Sequence, residues 1–200
     1  MAQPAAVEAA AARVLERHAH VDLLVNNAGV SVGGRSFLEA EPERLQRALE
    51  TNFLGSLWVV RAFAPGLAPG STLVNVVSVA GLVANGPYSA TKHAQLGLSR
   101  SLAVELAPRG ISVLTVNPGY IETPGFPHRE RFGPILGRLV VDPSFVARRI
   151  VEAVDRGRRE IVVPRWYAPA GVLQALVPGL FARVRARAYR PSTNQPTTPS

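Results

Sequence analysis

Three short apolar runs, each closed by a polar or glycine-containing stop, constrain this chain more than anything else in it. Residues 21–25 (Val21, Asp22, Leu23, Leu24, Val25) end at Asn26, Asn27, Ala28 and Gly29. Residues 71–78 run from Ser71 through Leu73, Val74, Val76 and Val77 to Ser78. Residues 111–117, rich in Val, Leu and Ile, close at Asn117, Pro118 and Gly119. Short, nearly continuous apolar runs bounded by turn residues predict strands buried on both faces of a parallel sheet. A fourth strand is expected at 160–163. Helical spacing occupies the intervals, over 4–20, 42–63, 87–106 and 144–156. Proline stands at or near the start of these helices, at Pro4, Pro42 and Pro87, where its missing N–H is harmless. In the second helix, Leu45, Leu49, Phe53 and Leu54 are the expected core contacts.

Strands alternating with helices of this length make right-handed βαβ units and an α/β fold. In such sheets ligands bind at the carboxyl ends of the strands. Here those ends are 26–29, 78 and 117–119, so one sheet edge gathers three polar or glycine-containing stops.

Composition narrows the chemistry. The 200 residues suffice for one domain with a real core. There is no Cys, which excludes a disulfide scaffold and a thiol nucleophile, and four scattered His give no zinc cluster. Residues 127–200 carry the whole net charge of +8. Without regularly interleaved aromatics, that basic half gives no support to nucleic-acid binding. No secretory signal and no apolar run of membrane-spanning length is visible, so the expectation is a cytoplasmic protein.

Of the 22 basic residues, 21 are Arg; the sole lysine is Lys92. It follows Tyr88 by four positions at the start of a helix, which puts both on one face. A phenol is a poor base at neutral pH, and an adjacent ammonium favours the phenolate. Lysine, a compact point charge on a flexible stem, suits that task better than the planar arginine fork. Tyr88 and Lys92 are therefore a candidate proton-transfer pair. Ser78, at the end of the preceding strand, is placed to hold a carbonyl or alcohol oxygen.

Asn26-Asn27-Ala28-Gly29, Asn52, Ser78, Tyr88 with Lys92, and Asn117-Pro118-Gly119 with Thr123 occur in this order. In this the chain resembles the short-chain dehydrogenase/reductase family, motif by motif over 4–123 and more loosely to 163. The resemblance implies a partial doubly wound, Rossmann-like parallel sheet of about four strands with flanking helices. It implies Tyr88 as general acid/base, Lys92 as its partner and ligand of the nicotinamide ribose, Ser78 as holder of the substrate oxygen, and Asn52 as anchor of a relay water. Asn27, Ala28 and Gly29 would border the adenosine side of NAD or NADP, and Pro118, Gly119 and Thr123 the nicotinamide side. Tyr88 and Lys92 count among the cofactor contacts, and no metal is implied. The implied reaction interconverts a secondary alcohol and a ketone, with a small apolar substrate between Val83, Ile121, Pro124 and Phe126, in a homo-oligomer.

Two departures from the family pattern stand out. No glycine-rich phosphate turn precedes Asn26, so residues 1–189 read as a single truncated domain, with an open strand edge and weakened cofactor binding. The interval from Ser78 to Tyr88 is also a few residues short, which predicts a tighter substrate loop or a displaced Ser78. Two other functions stay open: a catalytically impaired remnant acting as a binding or partner subunit, and a peripheral membrane protein. The latter rests on the helical segment 166–189, where Trp166, Tyr167, Val172, Leu173, Leu176, Leu180 and Phe181 precede Arg183, Arg185 and Arg187. Residues 190–200, polar and Pro-rich, read as a disordered tail.

Overall fold

The four apolar runs fold as β1 (Leu23–Asn26), β2 (Thr72–Val76), β3 (Ser112–Pro118) and β4 (Glu160–Val163) in a computed structural model that describes residues 2–34, 36–123 and 137–188. They form one parallel sheet in the order β1-β2-β3-β4. The register sets Asn26 beside Asn75, Val76 beside Val116 and Pro118 beside Val163. The carboxyl ends are thus level, and the stops at 26–29, 78 and 117–119 share one edge, as the sequence predicts.

Seven helices are described: α1 (Pro4–Leu15), α2 (Pro42–Leu49), α3 (Gly55–Phe63), α4 (Pro87–Glu105), α5 (Pro143–Asp155), α6 (Ala168–Leu176) and α7 (Pro178–Ala188). On one face of the sheet Leu24, Leu73 and Val113 meet Val60 of α3 and Leu102 and Leu106 at the end of α4. α1 packs on α3. On the other face Val74, Leu114, Val116 and Val163 meet Val146 and Ala153 of α5. This second layer does not reach β1, whose Leu23 and Val25 are about half exposed (49% and 45%). β1 is also an edge strand within the described sheet, as the sequence predicts for this position.

Two helices differ from their sequence reading. The first ends at Leu15, because Arg17, His18 and His20 are exposed and have no apolar face to bury. The helix expected over 42–63 is interrupted by a π-helical turn at Glu50–Leu54, where the Gly55 N–H reaches back to Glu50 O. Its buried side is not the leucine stripe. Ala48, Asn52, Ser56 and Val60, each four apart, are buried, whereas Leu45, Phe53 and Leu54 are only half-buried and Leu49 is exposed. Small and polar side chains on that stripe admit the α4 backbone closely, and π-helical turns recur at functional sites. Residues 190–200, and Pro124 and Phe126 of the expected pocket, lie outside the described residues.

Candidate active site

β2 leads into Ser78, whose hydroxyl accepts from Ala80 N at 3.1 Å and caps the short turn Val79–Gly81. That turn lies directly on α4. A Cβ on Gly81 would come within 2.8 Å of Lys92 O, so only glycine permits this approach. Ser89 ties the following loop down, donating to Ala80 O at 2.5 Å and contacting Val83 O. The short 78–88 interval is therefore a tight loop stapled to α4. The Ser78 hydroxyl faces the Tyr88 phenol and lies 3.5 Å from Pro118 O.

Tyr88 and Lys92 share one face of α4 as their spacing requires, with Lys92 Nζ 5.8 Å from the Tyr88 ring centre. Their electrostatics run against the sequence expectation. Burial pushes the Tyr88 phenol up to about 12, with the neighbouring Ser78 hydroxyl pulling the other way. Burial also pulls the Lys92 ammonium down to about 8. The reason is geometric: Lys92 Nζ donates to Gln95 Oε1 at 2.7 Å rather than to the phenol. Desolvation then outweighs any attraction between the two groups. At neutral pH Tyr88 stands as a protonated acid.

Gln95 and Ser56 are functional candidates that the sequence reading missed. Gln95 Nε2 donates to Ser56 Oγ at 2.9 Å, and Ser56 Oγ donates to Asn52 O at 2.9 Å. A continuous hydrogen-bonded chain thus joins Lys92 to the π-helical turn, through residues 39 positions apart in sequence. No local pattern announces such a pairing; a buried polar stripe on two helices is the only trace it leaves.

Asn52 is fully buried and holds the loop after β1. Its Oδ1 accepts from Val30 N at 2.8 Å, and its Nδ2 donates to Val30 O at 3.0 Å and to Thr91 Oγ1 at 2.9 Å. Asn27, Ala28 and Gly29 are exposed at the sheet edge. A Cβ on Gly29 would lie 3.3 Å from Asn52 Oδ1 and 3.4 Å from Lys92 Nζ. Gly29→Val therefore drives methyl groups between Asn52 and Lys92. It is expected to cost about 1–3 kcal/mol in urea unfolding, and unchanged stability would contradict this placement.

Asn26 sits beneath the same edge, donating to Asn75 Oδ1 at 3.0 Å and to Ser56 O at 3.1 Å. Asn75 continues to Ser99 at 2.9 Å, and Ser99 to Thr115 at 2.7 Å. These bonds clamp β1, β2 and β3 to α4 and level the strand ends below Tyr88. Across the sheet Pro118 is buried, and Gly119 and Thr123 are half-buried. The Tyr167 ring lies against Gly119, where a Cβ would come within 2.1 Å of it. Of the expected pocket, Val83 and Ile121 are both half-buried. A separate cleft of about 290 Å³, lined by Arg149, Arg156, Arg158 and Glu160 among others, contains none of these residues.

The structure thus brings Ser78, Tyr88 and Lys92 together, seats Asn52 behind them, and sets residues 27–29 and 118–119 at the same edge. The short chain dehydrogenase family model matches residues 1–131. Dehydrogenase/reductase SDR family member 7B of Bos taurus is 30% identical, with 95% of this chain and 62% of that protein covered. A putative ketoacyl reductase of Streptomyces coelicolor is 41% identical over 59% of this chain and 48% of its own length. Among solved structures, a short chain dehydrogenase from Burkholderia cenocepacia in complex with NADP superposes with a TM-score of 0.75 at 26% identity, covering 95% of this chain and 76% of that one. The chain spans less than two thirds of the length of these two curated relatives. With a family model matched over more than half its length and a parallel sheet of the same architecture, the chain belongs to the short-chain dehydrogenase/reductase family.

Proposed function

We propose that this chain is an NAD- or NADP-dependent oxidoreductase that interconverts a small apolar secondary alcohol and its ketone. The observation that carries it is Tyr88 and the buried Lys92 on one face of α4, with Ser78 facing the phenol, at the carboxyl edge of the sheet. The residues present fit both ends of the cofactor. Asn27, Ala28 and Gly29, exposed at the end of β1, would border its adenosine side, and Gly29 runs past Lys92 with no side chain between. Pro118, Gly119 and Thr123 would border the ring, and Lys92 and Tyr88 the ribose. When bound, the cofactor supplies or accepts the hydride at the substrate carbon.

The protein's own work is proton placement. In ketone reduction Ser78 donates to the carbonyl oxygen and orients it. Tyr88, protonated throughout the neutral range, gives its proton to that oxygen as the alkoxide forms. The Lys92–Gln95–Ser56 hydrogen bonds anchor the Lys92 ammonium beside the site, and Tyr88 regains its proton from solvent water after each turnover. Reduction is thus the direction for which the resting site is charged. Ser78→Ala is expected to lower kcat for ketone reduction about tenfold or more, removing one donor to the developing oxyanion. Loss of reduced-cofactor absorbance measures it, and full activity in the variant would remove Ser78 from the site. The purified chain tests the function directly: ketone-dependent consumption of NADH or NADPH supports it, and none with either cofactor opposes it.

A second reading, a partner subunit without turnover, is favoured by the open β1 edge with its exposed Leu23 and Val25. It predicts self-association that Val25→Lys abolishes and no cofactor consumption, and analytical ultracentrifugation separates the two. Assembly as a homo-oligomer accompanies the first reading as well, without need of that edge.

A further inference from the structure

After Glu160, the first residue of β4, the described chain carries one sign of charge, and its last two helices leave most of their aliphatic side chains outside. Residues 161–188 include Arg165, Arg183, Arg185 and Arg187 and not one Asp or Glu. α6 has no charged residue at all. The two helices lie on the domain by a narrow side. Gly171 rests on Leu82, Gln174 Oε1 accepts from Ala84 N at 2.7 Å, and Arg185 bonds Asn85. Everything fixed by these contacts faces the loop between Ser78 and Tyr88. The remaining sides carry Trp166, Val172, Leu173, Leu176, Leu180 and Val184, all exposed, with Leu176 at 75%. Scattered exposed aliphatics such as Leu38 and Val104 are ordinary; five on two adjoining helices, with Trp166 just before them, are not.

We propose that α6 and α7 form a platform that lies on the surface of an anionic phospholipid bilayer. The exposed aliphatic side chains and Trp166 would enter the acyl boundary, and Arg183 and Arg187 would meet the lipid phosphates. Among the described residues no helix is long and apolar enough to cross a membrane, so the platform rests on the bilayer. Charge decides against a second copy as occupant. A two-fold pairing through this face would set Arg183 and Arg187 against their own copies, with no acid in 161–188 to neutralise them. The exposed groups are mostly aliphatic, which suits acyl chains and gives nucleic-acid bases little to stack on. Because the same helices hold the 79–86 loop, the docked face adjoins the candidate site.

The test is co-sedimentation of the full chain with phosphatidylcholine vesicles made with and without phosphatidylserine. Binding is expected to the phosphatidylserine vesicles and to weaken as salt is raised. Arg183→Gln and Arg187→Gln should each reduce it about fivefold, and Leu176→Glu about tenfold or more. Circular dichroism verifies folding; should Leu176→Glu misfold, the two exposed arginine variants carry the test alone. No co-sedimentation would overturn the proposal, as would equal binding to neutral vesicles. Binding indifferent to all three substitutions would also overturn it, and so would a dimer that Leu176→Glu dissociates without any vesicle binding.

Discussion

Tyr88→Phe is expected to lower kcat for ketone reduction by about 10³-fold, within the usual contribution of a positioned acid. The substitution deletes one oxygen from a half-buried ring that keeps its place beside the Lys92 ammonium. The fold should survive, since the Ser78 hydroxyl that faces the phenol keeps Ala80 N as a partner. KM should change little, because Tyr88 acts on the oxygen mainly as the proton moves. The direction of the pH profile follows from the phenol's position near 12. Reduction has its acid loaded across the neutral range and should not depend on Tyr88 titration there. Alcohol oxidation needs the phenolate and should accelerate as pH rises. Steady-state kinetics in both directions measure this; a Tyr88→Phe enzyme with unaltered kcat would dismiss the phenol as the acid.

The second large effect is on stability and comes from Lys92. Its ammonium titrates near 8 in the folded chain and at 10.5 when exposed. Below pH 8 the group is charged in both states, and the folded state bears the full desolvation penalty. Between 8 and 10.5 the folded chain has released the proton while the unfolded chain retains it. The unfolded state then binds more protons, so stability rises with pH in this window. By pH 10 the gain is about 2–3 kcal/mol. Tyr88, raised above its ordinary value of 10.0, opposes this only above pH 10, where the unfolded phenol ionises first. Lys92→Met should flatten the rise while abolishing turnover. Urea unfolding of both chains at pH 7 and pH 10 measures the difference. Parallel stability curves would mean that the ammonium is not desolvated as the structure has it. A buried amine that costs stability below pH 8 is expected at a site kept for chemistry.

What the sequence revealed is what local pattern encodes. The four strands follow from apolar runs with polar stops, and β4 has the very bounds expected, at 160–163. The Tyr88–Lys92 spacing fixes a shared helix face whatever surrounds it. What stayed hidden depends on contacts between distant segments. The buried stripe Ala48–Asn52–Ser56–Val60 looks too polar for a core until Thr91 and Gln95 meet it from α4. The π-helical turn that carries Asn52 has no composition of its own. The Tyr88 phenol lies above the range its spacing predicts for the same reason: the Lys92 partner is Gln95, one turn along α4, and i,i+4 spacing alone does not say which way a lysine turns. The seating of α6 on the 79–86 loop depends on Gly171 meeting Leu82, which no periodicity reports.

Calorimetric titration of the purified chain with NADH and NADPH tests the nicotinamide site most directly. Saturable binding of one or both, weakened in Gly29→Val, is the result the strand-end geometry requires. No binding of either at millimolar concentration would contradict it, and with it the reading of this chain as a nicotinamide-dependent enzyme.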